Sequence, residues 1–210
     1  MKESKHKVIV AMAVTDTIKS KTTSALIQAL HGCEFEYDFV LSQGCDLIGS
    51  RTRLVREAIK RGGTHMLFVD HDMYFPPCKN PDTGLLENPI SRLLSHEKDV
   101  VGVPYNFRQL PLRSTAIPLG MEPVNGKYEV SPESLPKELF KVQGLGTGFL
   151  LINLSVFDKI AKPWFQFGRD EDMELLYGED TWLVHQCMRA GIDVWCDPIL
   201  QVSHLGEYSY

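Results

Sequence analysis

No run of apolar residues in this chain approaches the roughly 18 that a membrane-crossing helix needs. Positive charge is scarce too: 22 Lys and Arg stand against 27 Asp and Glu, a formal net charge of −5. A broad nucleic-acid footprint wants a basic face, so that class is excluded, while a local basic pocket is not. Paired cysteines are missing. The five present (Cys33, Cys45, Cys78, Cys187 and Cys196) are odd in number, scattered, and contain no CxxC. This excludes a disulfide framework and a cysteine zinc site, and it predicts reduced thiols in a cytoplasmic setting. The opening stretch MKESKHKVIVAMAV is basic, but its apolar run is short and reads as a first strand rather than a signal peptide. There is no internal repeat, low-complexity tract or linker.

What remains is an ordinary globular composition in 210 residues, enough for one core that buries roughly 70% of the unfolded surface. We read residues 1–210 as a single domain. KVIVAMAV is a near-continuous apolar strand, followed by the helical SKTTSALIQALHG with its Gly stop. YDFVLS is the next strand, SRTRLVREAIKRGG a helix, HMLFVD a third strand, NPISRLLSHEK a helix and DVVGVPY a strand. Residues 106–138 change character, with prolines and glycines that predict loops or hairpins over the sheet. GTGFLLINLSVFDKI returns to strand and helix. GEDTWLVHQCMRAG is a helix with Leu183, Val184, Cys187 and Met188 on one face, and DVWCDP and LQVSHLG are last short strands. Strands without strict alternation, separated by helices, predict an α/β fold with a mixed, mostly parallel sheet covered on both faces.

The chemistry gathers where apolar strands meet acids. THMLFVDHDMYFPP runs from Met66–Val69 straight into Asp70, His71 and Asp72. Ligands of open α/β sheets collect beyond the carboxyl ends of strands. In extended backbone, residues two apart project to one side, so both carboxylates address one ligand while His71 faces elsewhere. Hard divalent cations take such oxygens, often together with substrate phosphates. The plainer reading is that strands end in turns, and turns favour Asp.

Glu179 and Asp180 open a helix, either as dipole-complementing acids or as a general base on a rigid helix end. His204 follows an apolar strand and is a metal ligand only if the fold brings it to Asp72. Gly146, in QGLGTGFLLI, allows close approach to a ligand, or simply a tight turn. Arg51 and Arg53 are read at a helix start, where a positive side chain opposes the dipole unless a phosphate is bound there as well. Arg108, after VGVPYNF, is read as projecting over the same sheet edge, and for each of the three arginines a solvated surface role is the equal alternative.

Taken in order, SRTRLVREAIKRGGTHMLFVDHDMYFPP, DVVGVPYNFR, GTGFLLI, GED, DVWCDP and VSHLG resemble the metal-dependent glycosyltransferases of the GT-A fold, most nearly the small family-2-like members of bacteria and phages. The resemblance runs from about Val8 to Gly206, nearly the whole chain. It implies a Rossmann-like single domain and a nucleotide-sugar donor, UDP- or GDP-linked, whose sugar passes to an unidentified acceptor. Asp72 and His204 would hold Mn²⁺ or Mg²⁺, with Asp70 near the ribose. Asp180 would be the base of an inverting displacement, with Glu179 beside it. Thr15 and Asp16, at the exit of the first strand, would border the nucleobase. Arg51 matches the arginine of a Ser-Arg-Asn helix start, where this chain has Thr52 in place of asparagine. Trp164, Phe165 and the acidic run GRDEDMEL would border the acceptor; the equal alternative is that the rings are packing and the charges a solvated loop. Rival readings are a nucleotidyltransferase and a non-catalytic nucleotide-sugar binder. The first usually wants a Gly-rich basic loop after the first strand, and AMAVTDTIKSKTTS has no glycine.

Overall fold

Five consecutive residues, Val8 to Met12, are wholly buried. Only a strand inside a sheet covered on both faces allows that. The structure is a computed structural model that describes residues 6–206 apart from 82, 125, 170 and 173. The first five residues of the basic start, and Asp170 and Met173 of the acidic run, therefore lie outside the described residues.

The N-terminal half alternates strand and helix: β1 (Lys7–Val14), α1 (Ser20–Leu30), β2 (Glu36–Gln43), α2 (Leu47–Lys60) and β3 (His65–Val69). Short strands β4 (Met73–Tyr74), β5 (Cys78–Lys79) and β6 (Leu86–Glu87) lead to α3 (Pro89–Ser95) and β7 (Val100–Gly102). Then come β8 (Ile117–Pro118), β9 (Phe140–Gly144), β10 (Phe149–Asn153) and α4 (Val156–Lys159). The chain closes with the hairpin β11 (Gly168–Arg169) and β12 (Leu175–Tyr177), α5 (Glu179–Arg189), β13 (Val194–Cys196) and β14 (Ser203–His204).

Eight strands form one sheet in the order β2-β1-β3-β10-β7-β13-β9-β8. Six run in one direction, and only β10 and β9 are reversed. Alternate residues of β1 sort the core into two layers. Ile9 and Ala11 pack with Leu54, Val55 and Ala58 of α2 and Leu183, Val184 and Cys187 of α5. Val8, Val10 and Met12 pack with Ala25, Leu26 and Ala29 of α1 and Ile90 and Leu93 of α3. Each such side chain, fully buried, contributes about 1.5–3 kcal/mol. The carboxyl ends of β1, β3 and β7 open onto the same rim, and β14 returns to pair with β4 just after Asp72.

Several expectations need correcting. Helix α2 begins at Leu47 rather than Ser50, because Asp46 accepts a hydrogen bond from the Gly49 amide at 3.0 Å and starts the helix a turn early. Arg51 and Arg53 therefore lie inside the helix. Arg53 is tied to Ser50 Oγ at 2.9 Å and Ser42 Oγ at 3.3 Å. Of the two readings of Trp164 and Phe165, packing is the one that holds: they are 7% and 1% exposed and lie edge-on against Phe157 and Phe68. Met188 is 39% exposed, one position past the buried stripe of α5. Strand β9 had no counterpart in the sequence reading.

Candidate active site

β3 stops at Val69, and the three residues after it turn rather than extend, with Met73 N–H donating to Asp70 C=O at 3.2 Å. The two-residue alternation expected for Asp70 and Asp72 therefore does not apply. The turn brings Asp70, His71 and Asp72 together onto a hollow of about 300 Å³. Thr15, Arg51, Arg108 and His204 line the same hollow, as do Gly44 and Cys45 between β2 and α2 and Ser50 in the first turns of α2. Asp16 is exposed and is not in this lining, and neither are Gly146, Glu179 and Asp180.

Of the two acids that line the hollow, Asp72 is the more enclosed, its side chain 2% exposed against 27% for Asp70. Its Oδ2 meets Arg108 Nη1 at 2.9 Å and His204 Nε2 at 3.4 Å. Burial alone would raise this carboxyl, but the His204 hydrogen bond and charge, helped by His71 and Arg108, hold it below the ordinary value. His204 Nδ1 lies 3.3 Å from the Asn106 carbonyl, which can only accept, so that nitrogen carries a proton. With Nε2 protonated as well, the ring donates to the Asp72 carboxylate; with Nε2 bare, its lone pair faces a carboxylate oxygen. Two electron-pair donors turned toward each other, one braced by a backbone carbonyl, fit a divalent cation. Among the described residues no third His, Cys, Asp or Glu completes the set. Phosphate oxygens and water would have to fill the remaining positions, as is usual for Mg²⁺.

A second cluster stands behind this one. Arg51 is 4% exposed; its Nη1 makes a short contact with Glu179 Oε1, and its Nη2 lies 3.4 Å from Asp70 Oδ1. Burial opposes the Arg51 charge, yet Asp70, Glu179 and Asp180 together outweigh it and raise its pKa. Asp180 accepts from the Thr181 amide at 2.7 Å. Burial lifts its carboxyl above the ordinary aspartate value, and Arg51 opposes that only in part. One guanidinium therefore links the acid beside the hollow, Asp70, to the acid pair that opens α5.

The sequence reading missed Tyr105. This buried tyrosine accepts a hydrogen bond from the Gly148 amide at 3.0 Å and sets its ring edge against His204, with centroids 5.6 Å apart. Gly146 and Gly148 make room for it: a Cβ would fall 2.1 Å and 2.8 Å, respectively, from its hydroxyl oxygen. Gly148 in turn accepts from the Asp70 amide at 3.0 Å, so the glycine turn braces the end of β3. Gly146 thus acts on packing around the site. An aromatic closing an apolar strand is the only sequence signal Tyr105 gives.

No family model matches the chain. No curated protein matches it either. Among solved structures it is similar to the crystal structure of A197 from STIV, with a TM-score of 0.64 and 14% identity over 96% of this chain and 86% of that one. Fainter likenesses include apo UDP-glucose pyrophosphorylase, with a TM-score of 0.45 and 7% identity over 93% of this chain and 75% of that one. A glycosyltransferase involved in glycosylation of the major capsid of PBCV-1 gives a TM-score of 0.33 and 14% identity over 75% and 69%. The likeness to A197 establishes the fold, a Rossmann-like mixed α/β sheet flanked by helices. The two fainter ones bear on neither activity nor substrate.

Proposed function

We propose that this chain is a single-domain GT-A glycosyltransferase that moves a sugar from a nucleoside diphosphate to an acceptor hydroxyl with inversion. The observation that carries the reading is the convergence of Asp70, Asp72, Arg51, Arg108 and His204 on one hollow at the carboxyl end of β3. Phosphates need cationic forks, a ribose needs a hydroxyl acceptor, and both are present within one small volume.

In this reading the nucleoside, UDP- or GDP-type, lies beside Thr15 at the exit of β1, with Asp16 at its outer margin and Asp70 toward the ribose. Arg51 and Arg108 face the diphosphate. A divalent cation, Mn²⁺ or Mg²⁺, held by Asp72 and His204, would neutralise charge building on the leaving diphosphate. Asp180 takes the proton of the acceptor hydroxyl as its oxygen bonds to the anomeric carbon and the bond to phosphate breaks. Burial raises its proton affinity above that of an ordinary aspartate, which strengthens it as a base. Glu179 holds Arg51 in place, and Gly146 leaves the space that seats Tyr105. The unpaired thiols, of which Cys45 is exposed, suit a cytoplasmic setting.

The test is a thermal-shift panel of UDP-, GDP- and other nucleotide-sugars with and without Mn²⁺, paired with an assay for released nucleoside diphosphate. Cation-dependent stabilisation by one donor class and release of its diphosphate are expected. Pyrophosphate released from a nucleoside triphosphate and a sugar phosphate would replace this reading with a nucleotidyltransferase. No stabilisation by any nucleotide would end it.

A further inference from the structure

The two edges of the large sheet are built differently. β8, at one edge, has two residues, one of them Pro118, and offers little to another chain. β2, at the other, is eight residues long, EYDFVLSQ, with no proline and no lysine. Its ladder to β1 fixes which backbone groups are left over. The Glu36 amide donates to the His6 carbonyl at 3.0 Å and the Gly44 amide to the Val14 carbonyl at 2.9 Å, so the even-numbered residues face β1. Tyr37, Phe39, Leu41 and Gln43 then turn their amides and carbonyls outward. The Phe39 amide meets the Asp38 carboxylate at 2.8 Å, an exposed contact that a peptide carbonyl can replace.

The two faces beside this edge carry different chemistry. Tyr37, Phe39 and Leu41 are 49%, 36% and 48% exposed, although they pair in register with Val8, Val10 and Met12, which α1 covers. On the other face α2 runs back along β2, with Arg53 3.3 Å from Ser42 and Arg61 2.9 Å from Asp38. A groove of about 580 Å³ follows this flank. Its acid, Glu57, is held by Arg61 at 2.9 Å. Arg53, Arg56 and Lys60 also line it, are exposed, and make no ion pair among the described residues. These positions lie three and four residues apart, an advance of about 4.5 and 6 Å along the helix. Same-face residues of a strand repeat every ~6.7 Å, close enough for three long basic side chains to meet three successive ones.

We infer that the β2 edge docks an extended acidic segment of a partner protein as a ninth strand. Its carboxylates face Arg53, Arg56 and Lys60, and its apolar side chains lie beside Tyr37, Phe39 and Leu41. Charge selects this occupant over a second copy, because pairing β2 with itself about a two-fold axis would bring two copies of the same basic flank together. The inference does not depend on what fills the nucleotide hollow.

The experiment titrates labelled octapeptides into the full-length protein, followed by fluorescence anisotropy. The probes are alternating glutamate and valine, alternating lysine and valine, and the glutamate peptide N-methylated on its valines alone or on its glutamates alone. The glutamate peptide should bind at least roughly tenfold more tightly than the lysine peptide, and more weakly as salt rises. One methylated form should bind like the parent and the other should fail. Methylated valines block a strand antiparallel to β2, and methylated glutamates block a parallel one. Arg56→Glu/Lys60→Glu should lose the tenfold, and Leu41→Pro, which removes an outward amide but no bond to β1, should weaken binding too. No binding of the glutamate peptide, equal binding of the lysine peptide, wild-type binding by Arg56→Glu/Lys60→Glu, or indifference to both methylations would overturn the inference. Sedimentation showing a dimer that Leu41→Pro dissolves would overturn it as well, making the occupant a second copy.

Discussion

Replacing Arg51 with methionine removes the one buried cation that three acids share. Glu179, its side chain 8% exposed, would be left beside Asp180 with no counter-charge, whereas Asp70 is 27% exposed and loses only a 3.4 Å contact. Breaking a buried pair from one side costs about 3–5 kcal/mol, most of it from the stranded charge. For a domain of this size each kcal/mol lowers Tm by roughly 2–4 °C, so a fall of roughly 6–20 °C is expected. Arg51→Lys keeps the charge without the fork and should fall between. The double variant Arg51→Met/Glu179→Leu should regain much of the loss, because apolar replacements of a buried pair are often near neutral. The pH dependence has a definite sign. An acid whose pKa is raised by folding, as Asp180 already is, weakens the fold above that pKa and is relieved as pH falls through it. Without Arg51 the rise is larger, so the deficit of the single variant should shrink on acidification. Urea unfolding across pH measures all of this. A single-variant loss under about 1 kcal/mol, or a double variant no better than the single, would refute the charge-sharing argument.

Asp180→Asn should leave nucleotide-induced stabilisation intact while cutting sugar transfer about 10²–10⁴-fold, the usual worth of a positioned base; transfer at the normal rate would remove Asp180 from that role. Asp72→Ala should abolish the Mn²⁺-dependent part of nucleotide stabilisation, read as a thermal shift that no longer responds to the cation. Away from the site, Asp197 is 1% exposed and meets Arg92 Nε at 2.6 Å and His96 Nε2 at 2.8 Å. Burial would raise its pKa, but these partners hold it below the ordinary 3.8, so its contribution is present above that value and lost as pH falls through the lower folded one. Asp197→Ala should therefore cost about 3–5 kcal/mol near neutrality, with the gap to wild type closing in strong acid, as urea midpoints would show. Gly146→Ala drives a methyl to 2.1 Å from the Tyr105 oxygen and should cost about 1–3 kcal/mol by overpacking, seen as a lower unfolding midpoint.

What the sequence discloses is local, and the site is assembled from parts that are not. β1 and β3 are legible because both their faces are buried, leaving continuous apolar runs. β9, FKVQG, hides because its burial is broken by half-exposed polar positions beside an outer strand of two residues. The acids after β3 are visible as an interruption of an apolar run, yet the turn that gathers them depends on Gly148 accepting from the Asp70 amide across the sheet. Arg51 was noticed for a reason that does not hold, a basic side chain at a helix start, because Asp46 moves that start a turn upstream. Its partner in the fold is Glu179, 128 residues away. Helix preferences alone explain Glu179 fully, since acids suit a first turn whether or not anything pairs with them. Only burial separates the two accounts. A first-turn acid serving the dipole alone would stay in water, and Glu179, 6% exposed, does not. A carboxylate that gives up solvent at a helix end must meet a cation there, and Arg51 is the cation the fold brings to it.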